Sequence, residues 1–130
     1  MGGFLQNSNL VPDRVITSTA VRAKETLEMA MREGKWTCPV LESRALYFSP
    51  TSEIFSAIQE QPDSSESILL VGHNPTWEEL VSELVGGGGF RMPTAALAGI
   101  NFMTEHWRNI EAGNGFLQFL VTPKLLKKLS

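Results

Sequence analysis

Ser67-Ile68-Leu69-Leu70-Val71-Gly72-His73-Asn74-Pro75-Thr76-Trp77-Glu78-Glu79 changes character twice within one short stretch. The run from Ile68 to Val71 is apolar throughout, which predicts a strand buried on both faces, as in a parallel sheet. Gly72 to Pro75 then forms a tight loop. Thr76 with Glu79 three residues on reads as a capping box. It opens a helix that gathers Trp77, Leu80, Val81, Leu84 and Val85 on one face and stops in Gly86 to Gly89. The same order occurs upstream. Pro12-Asp13 reads as a turn, Arg14 to Thr17 as a short buried strand, and Ser18 and Thr19 as N-caps. Ala20, Ala23, Leu27, Ala30 and Met31 then recur at helical spacing up to Gly34, a candidate C′ residue. Strand, loop and helix repeated in this way predict a three-layer α/β domain, with ligands at the carboxyl ends of the strands.

The rest of the chain fits that frame. A strand is predicted near Leu46 to Phe48, a helix over 52–61 with Ile54, Phe55 and Ile58 inward, and strands over 97–103 and 116–121. Asn114-Gly115 is read as the turn signal between those last two strands, and a short helix is expected from Pro123 to Leu129. Apolar residues make up 42% of the 130 and charged residues 19%, a globular and not a disordered composition. Fourteen acidic against eleven basic residues give a net charge of −3, which argues against a nucleic-acid binder. No apolar run has the length of a membrane span, and Met1 to Ser8 lacks the pattern of a secretory signal. The single cysteine, Cys38, excludes an internal disulfide framework and is compatible with a cytoplasmic or other reducing compartment.

The two strand-to-helix loops carry the chemistry. Arg22 falls in the first turn of its helix, where a cation is mildly unfavourable unless an anion sits there. A guanidinium beside free helix N–H groups is a phosphate-binding arrangement. The plainer reading is a solvated Arg22 or a salt bridge to Glu25 or Glu28. His73 follows its strand directly and can donate to a phosphoryl oxygen or act in acid–base chemistry, or simply bond a backbone carbonyl. Taken together, an arginine and a histidine at one sheet edge point to an oxyanion site.

Ser18-Thr19-Ala20-Val21-Arg22-Ala23-Lys24-Glu25-Thr26, Val71-Gly72-His73-Asn74-Pro75, Met92-Pro93-Thr94-Ala95-Ala96-Leu97-Ala98 and the late Trp107 resemble the histidine phosphatase superfamily. The nearest branch is the small SixA-like phosphohistidine phosphatases, which Leu46-Tyr47 and Thr122-Pro123-Lys124 also fit. The resemblance runs in order along nearly the whole chain. It implies a phosphoglycerate mutase-like α/β/α sandwich, with Arg22 as a phosphate-binding arginine and His73 as an active-site histidine. Asn74 is the adjoining substrate-binding residue; neither cofactor nor metal is implied. The family opens on a strand ending in an Arg-His-Gly motif whose histidine is the nucleophile, and no such motif occurs in these residues. Met1 to Leu5 align inside the family's first helix, so the chain reads as one domain over 1–130 that lacks the first strand. In the family that strand lies inside the sheet. Its loss would leave two unpaired edges and an apolar slot, with instability or self-association as the expectation.

Two functions remain open. One is a phosphatase whose complete form acts on protein phosphohistidine. The other is a non-catalytic domain that binds phosphate or a phosphorylated protein partner. Cys38 to Arg44 has the C-x5-R spacing of cysteine-dependent phosphatases, but Pro39 lacks an amide hydrogen, Val40 and Leu41 are bulky and Glu42 repels a dianion. Gly86 to Gly89 is not followed by Gly-Lys-Ser/Thr and reads as a helix-end loop. His106 is read as exposed or structural, and Trp36, Trp77 and Trp107 as core or rim residues.

Overall fold

The computed structural model describes residues 1–47, 50–74 and 76–129. Its elements run α1 (Gly2–Asn7), β1 (Arg14–Ser18), α2 (Val21–Gly34), β2 (Val40–Ser43), a 3-10 turn (Arg44–Leu46), α3 (Thr51–Gln59), β3 (Ile68–Val71), α4 (Thr76–Val85), β4 (Leu97–Phe102), a second 3-10 turn (Trp107–Asn109), β5 (Gly115–Val121) and α5 (Pro123–Leu129). The fold is the expected α/β/α sandwich with a parallel sheet at its centre.

β1 is the middle strand of the parallel sheet, flanked by β2 and β3. Val15 and Ile16 are fully buried, and the polar pair Thr17 and Ser18 at its carboxyl end is buried with them. β3 is the outer strand, and all four of its residues are only half-buried, although their apolar run predicts burial on both faces. An edge position explains the difference, since one side of β3 carries no ladder.

β4 and β5 form a separate antiparallel pair. Even so, β3 and β4 feed the same two apolar layers. Leu70, Ile100 and Phe102 pack with Ile54, Ile58, Leu80, Leu84 and Ile110 on the α3–α4 side. Leu69, Val71 and Leu97 pack with Leu5, Val15, Leu27 and Trp36 on the α1–α2 side. The central layer is therefore one sheet in two pieces, with no backbone ladder joining β3 to β4 among the described residues.

α1 has no counterpart among the elements read from residue spacing alone. It is held by backbone proximity: a Cβ on Gly2 would meet the Ala30 carbonyl, and one on Gly34 would lie 2.4 Å from the Gly2 carbonyl. Gly34 is thus the last residue of α2 and a crossing point, while Lys35 takes the left-handed capping conformation at φ 54°. Trp36 Nε1 donates to the Gly2 carbonyl at 3.3 Å. On the far side Phe4 meets Phe119 of β5 edge-on, so α1 bridges both halves of the sheet.

Two further expectations are corrected. The strand expected at 46–48 lies earlier, at Val40–Ser43, and is largely exposed, so no periodic burial marks it. Leu46 is buried in the 3-10 turn instead, and Phe48 is outside the described residues. Asn114-Gly115 is not the hairpin turn: Gly115 opens β5, and the left-handed residue is Gly113 at φ 84°. The glycine run behaves as a helix-end loop, with Gly86, Gly87 and Gly88 all at positive φ. No helix among the described residues is long and apolar enough to cross a membrane.

Candidate functional site

The register brings the two expected loops to one edge. Thr17 lies level with Val71, and Ser18 with Ser43, so β1, β2 and β3 end together. Arg22 follows β1 in the first turn of α2, and His73 follows β3. Adjacent strands in a sheet lie roughly 5 Å apart, so the two loops are neighbours.

The start of α2 is open. Its N-cap is Ala20, no side chain caps it, and its first turn holds no acidic residue. Ser18 and Thr19 do not cap it, because Ser18 Oγ accepts from the N–H of Ala20 at 3.1 Å. Arg22 is exposed. Among the described residues it forms no ion pair with Glu25 or Glu28, and the helix's salt bridge runs instead from Lys24 to Glu42 at 3.4 Å. An uncapped helix start, a guanidinium with no ion pair among the described residues and a first turn without a carboxylate make an electropositive seat for an anion.

His73 is half-buried, and its ring meets Tyr47 edge-to-face, with centroids 6.2 Å apart and planes at 80°. Tyr47 stands just past the 3-10 turn that follows β2, so all three parallel strands contribute to this edge. Gly72 lets the loop pass the indole of Trp77. Asn74, expected beside the ligand, uses its amide to donate to the carbonyl of Met92. Glu78 accepts from the N–H of Met92 at 2.7 Å. α4 starts at Thr76, inside the expected capping box, and Pro75 is outside the described residues. The clamp on Met92 joins residues far apart in sequence, and no local pattern signals it.

The remaining candidates separate from this edge. His106 is half-exposed, its Nδ1 2.7 Å from Asp63 Oδ2. Asp63 also accepts from the N–H of Trp107 at 3.1 Å, and Trp107 Nε1 donates to the Ser65 carbonyl at 2.7 Å. Asp63 and Ser65 precede β3 while His73 follows it, so His106 sits at the opposite end of the sheet. Cys38 is half-buried, and burial, with a smaller contribution from Asp13, pushes its thiol up. β2 intervenes between Cys38 and Arg44, so this stretch builds no phosphate-cradling loop. Among the described residues no group of histidine, cysteine and carboxylate side chains could hold a metal ion.

Two open cavities border α4. One, of about 410 Å³, lies between Glu78, Glu79, Glu83 and the glycine run. The other, of about 540 Å³, is lined by Glu78, Arg91, Met92, Pro93 and Thr122. Neither includes Arg22 or His73.

No protein-family model matches the chain. Similar sequences include the uncharacterised protein ML1117 of Mycobacterium leprae, 26% identical over 132 residues, covering 95% of this chain and 79% of that protein. The uncharacterised protein Rv1276c of Mycobacterium tuberculosis is 27% identical over 122 residues, covering 86% and 74%. Among solved structures, the protein histidine phosphatase SixA complexed with tungstate superposes with a TM-score of 0.80 at 23% identity, over 96% of this chain and 78% of its own. A structure from Nakamurella multipartitia, also named for phosphohistidine phosphatase SixA, gives 0.80 at 22% identity, over 93% and 77%. The chain has the fold of the SixA phosphohistidine phosphatases.

Proposed function

We propose that this chain is a phosphoryl-binding domain of the histidine phosphatase type, and that its complete form hydrolyses phosphohistidine on a protein partner. The observation that carries this reading is the open start of α2, with unpaired Arg22, beside the loop that holds His73. Arg22 and the free N–H groups of the helix start hold the phosphoryl oxygens, and His73 donates to one of them. Charge building up on those oxygens is stabilised by donors already in position. Asn74 acts from behind, through the segment at Met92, and not as a direct ligand. The likeness to a SixA structure complexed with tungstate, a tetrahedral oxyanion, supports the same reading.

Turnover requires an attacking group. The only other histidine, His106, lies at the far end of β3. That position favours binding without turnover in these 130 residues, with a nucleophile supplied by a strand seated between β3 and β4. The same open edges support self-association of the chain as it stands. A single cysteine, which forms no disulfide within the chain, suits a reducing compartment such as the cytoplasm.

Calorimetric titration with tungstate tests the reading. The chain should bind it, and Arg22→Ala and His73→Ala should each weaken binding severalfold or more. In any form that turns over, each should lower the rate on the order of 10²-fold. Unchanged tungstate affinity in both variants would remove these two residues from the site.

A further inference from the structure

We infer that the cavity lined by Arg91 is a specificity subsite for an acidic side chain flanking the phosphorylated residue. The inference rests on the phosphoryl-binding reading of the Arg22–His73 edge and names what lies beside it. The cavity, of about 540 Å³, is lined by Glu78, Arg91, Met92, Pro93 and Thr122. It adjoins the His73 loop, because Asn74, next to His73, holds the Met92 carbonyl.

The polar groups of its lining are mostly committed. Glu78 accepts from the N–H of Met92 at 2.7 Å. Thr122 Oγ1 accepts from the N–H of Leu125 at 3.1 Å, capping α5. Arg91 is exposed and enters no ion pair among the described residues. Among the described residues it is the one cation of the lining, and its guanidinium is left for a carboxylate.

The segment that carries Arg91 is also held. Met92 is gripped at both its N–H and its carbonyl, and the next turn closes with the N–H of Ala96 on the Pro93 carbonyl at 2.9 Å. Within that turn Ala95 adopts a left-handed φ of 64°, a conformation unfavourable for a non-glycine residue. These bonds hold the backbone immediately after Arg91 beside the His73 loop. Arg91 is therefore carried next to the phosphoryl edge and contributes selectivity, while Arg22 and His73 contribute phosphate affinity.

Peptides carrying a non-hydrolysable phosphonate analogue of phosphohistidine, flanked by glutamates or by lysines, test this by fluorescence anisotropy at low salt. The acidic peptide should bind about fivefold more tightly, the range of an exposed charge pair. Arg91→Ala should bring the ratio of the two affinities near one, Arg91→Glu should invert it, and Arg91→Lys should keep part of it. Titration with tungstate, which reads the Arg22–His73 edge without any peptide flank, separates the two readings. Equal affinities for the two analogue peptides, or a preference that survives Arg91→Glu, overturn the subsite and leave the phosphate site standing. If tungstate binds while neither analogue peptide does, the subsite falls and the phosphate site stands. If tungstate fails to bind as well, the phosphate reading falls and the subsite with it.

Discussion

At Gly72 the chain runs so close to Trp77 that a Cβ would sit 2.5 Å from the indole. Gly72→Ala must push the ring or the loop aside. The expected loss is about 1–3 kcal/mol, measured as a lower urea midpoint, together with weaker tungstate binding because His73 moves with the loop. Asp63 offers a second residue-level test. Its carboxyl is held below the ordinary carboxylate range, first by the hydrogen bond with His106 and then by the Trp107 N–H. A carboxyl that titrates lower in the folded state stabilises that state fully above its unfolded value of about 4, and the contribution drains away as pH falls through the folded value. Asp63→Asn should therefore unfold at lower urea than the parent at pH 7, with the gap narrowing as pH falls below about 4. The placement of the candidate residues Arg22 and His73 at one sheet edge was legible in the sequence because each follows a strand and stands where a helix begins. The Glu78–Met92–Asn74 clamp and the Tyr47–His73 contact were not, because folding alone brings those pairs together.

The helices and the buried strand declared themselves through spacing. Ala23 and Leu27 of α2, Ile54 and Ile58 of α3, and Leu80 and Leu84 of α4 recur at helical intervals and are buried as that pattern requires. α1 and β2 left no such trace. α1 is fastened by glycines at a backbone crossing, and β2 is short and exposed. The start of α2 also shows why cap signals mislead: Ser18 and Thr19 are suitable caps, yet Ala20 occupies the position. An Ala20→Asp substitution would supply the missing cap, which stabilises a helix by typically about 1 kcal/mol. Its carboxylate would sit where the anion is proposed to bind. The expected outcome is a higher melting temperature with reduced tungstate affinity, a pairing that calorimetry can read on one sample.

Across the molecule, the divided sheet dominates. Among the described residues β3 presents an unpaired edge on four half-buried residues, and β4 presents another across the same two apolar layers. Unpaired strand edges template association with further chains. Sedimentation of the 130-residue chain should show a mass that rises with concentration, and a monomer at every concentration with a sharp cooperative melt would contradict this. The sandwich was legible from the alternation of strands and helices. The unpaired edges entered only through the family resemblance, because residue patterns report faces and helices but not which ladders close.

Without a ladder between β3 and β4, the hairpin half is tied to the parallel half by side-chain packing, by α1, and by loop bonds such as Gln59 to Ile110, Trp107 to Ser65 and His106 to Asp63. Such an arrangement lets β4 and β5 come away as one local unit without rupturing the parallel strands. The loosest seam of the protein then runs directly past the end of β3, so thermal breathing of the hairpin would bare the very strand that carries His73 at its tip.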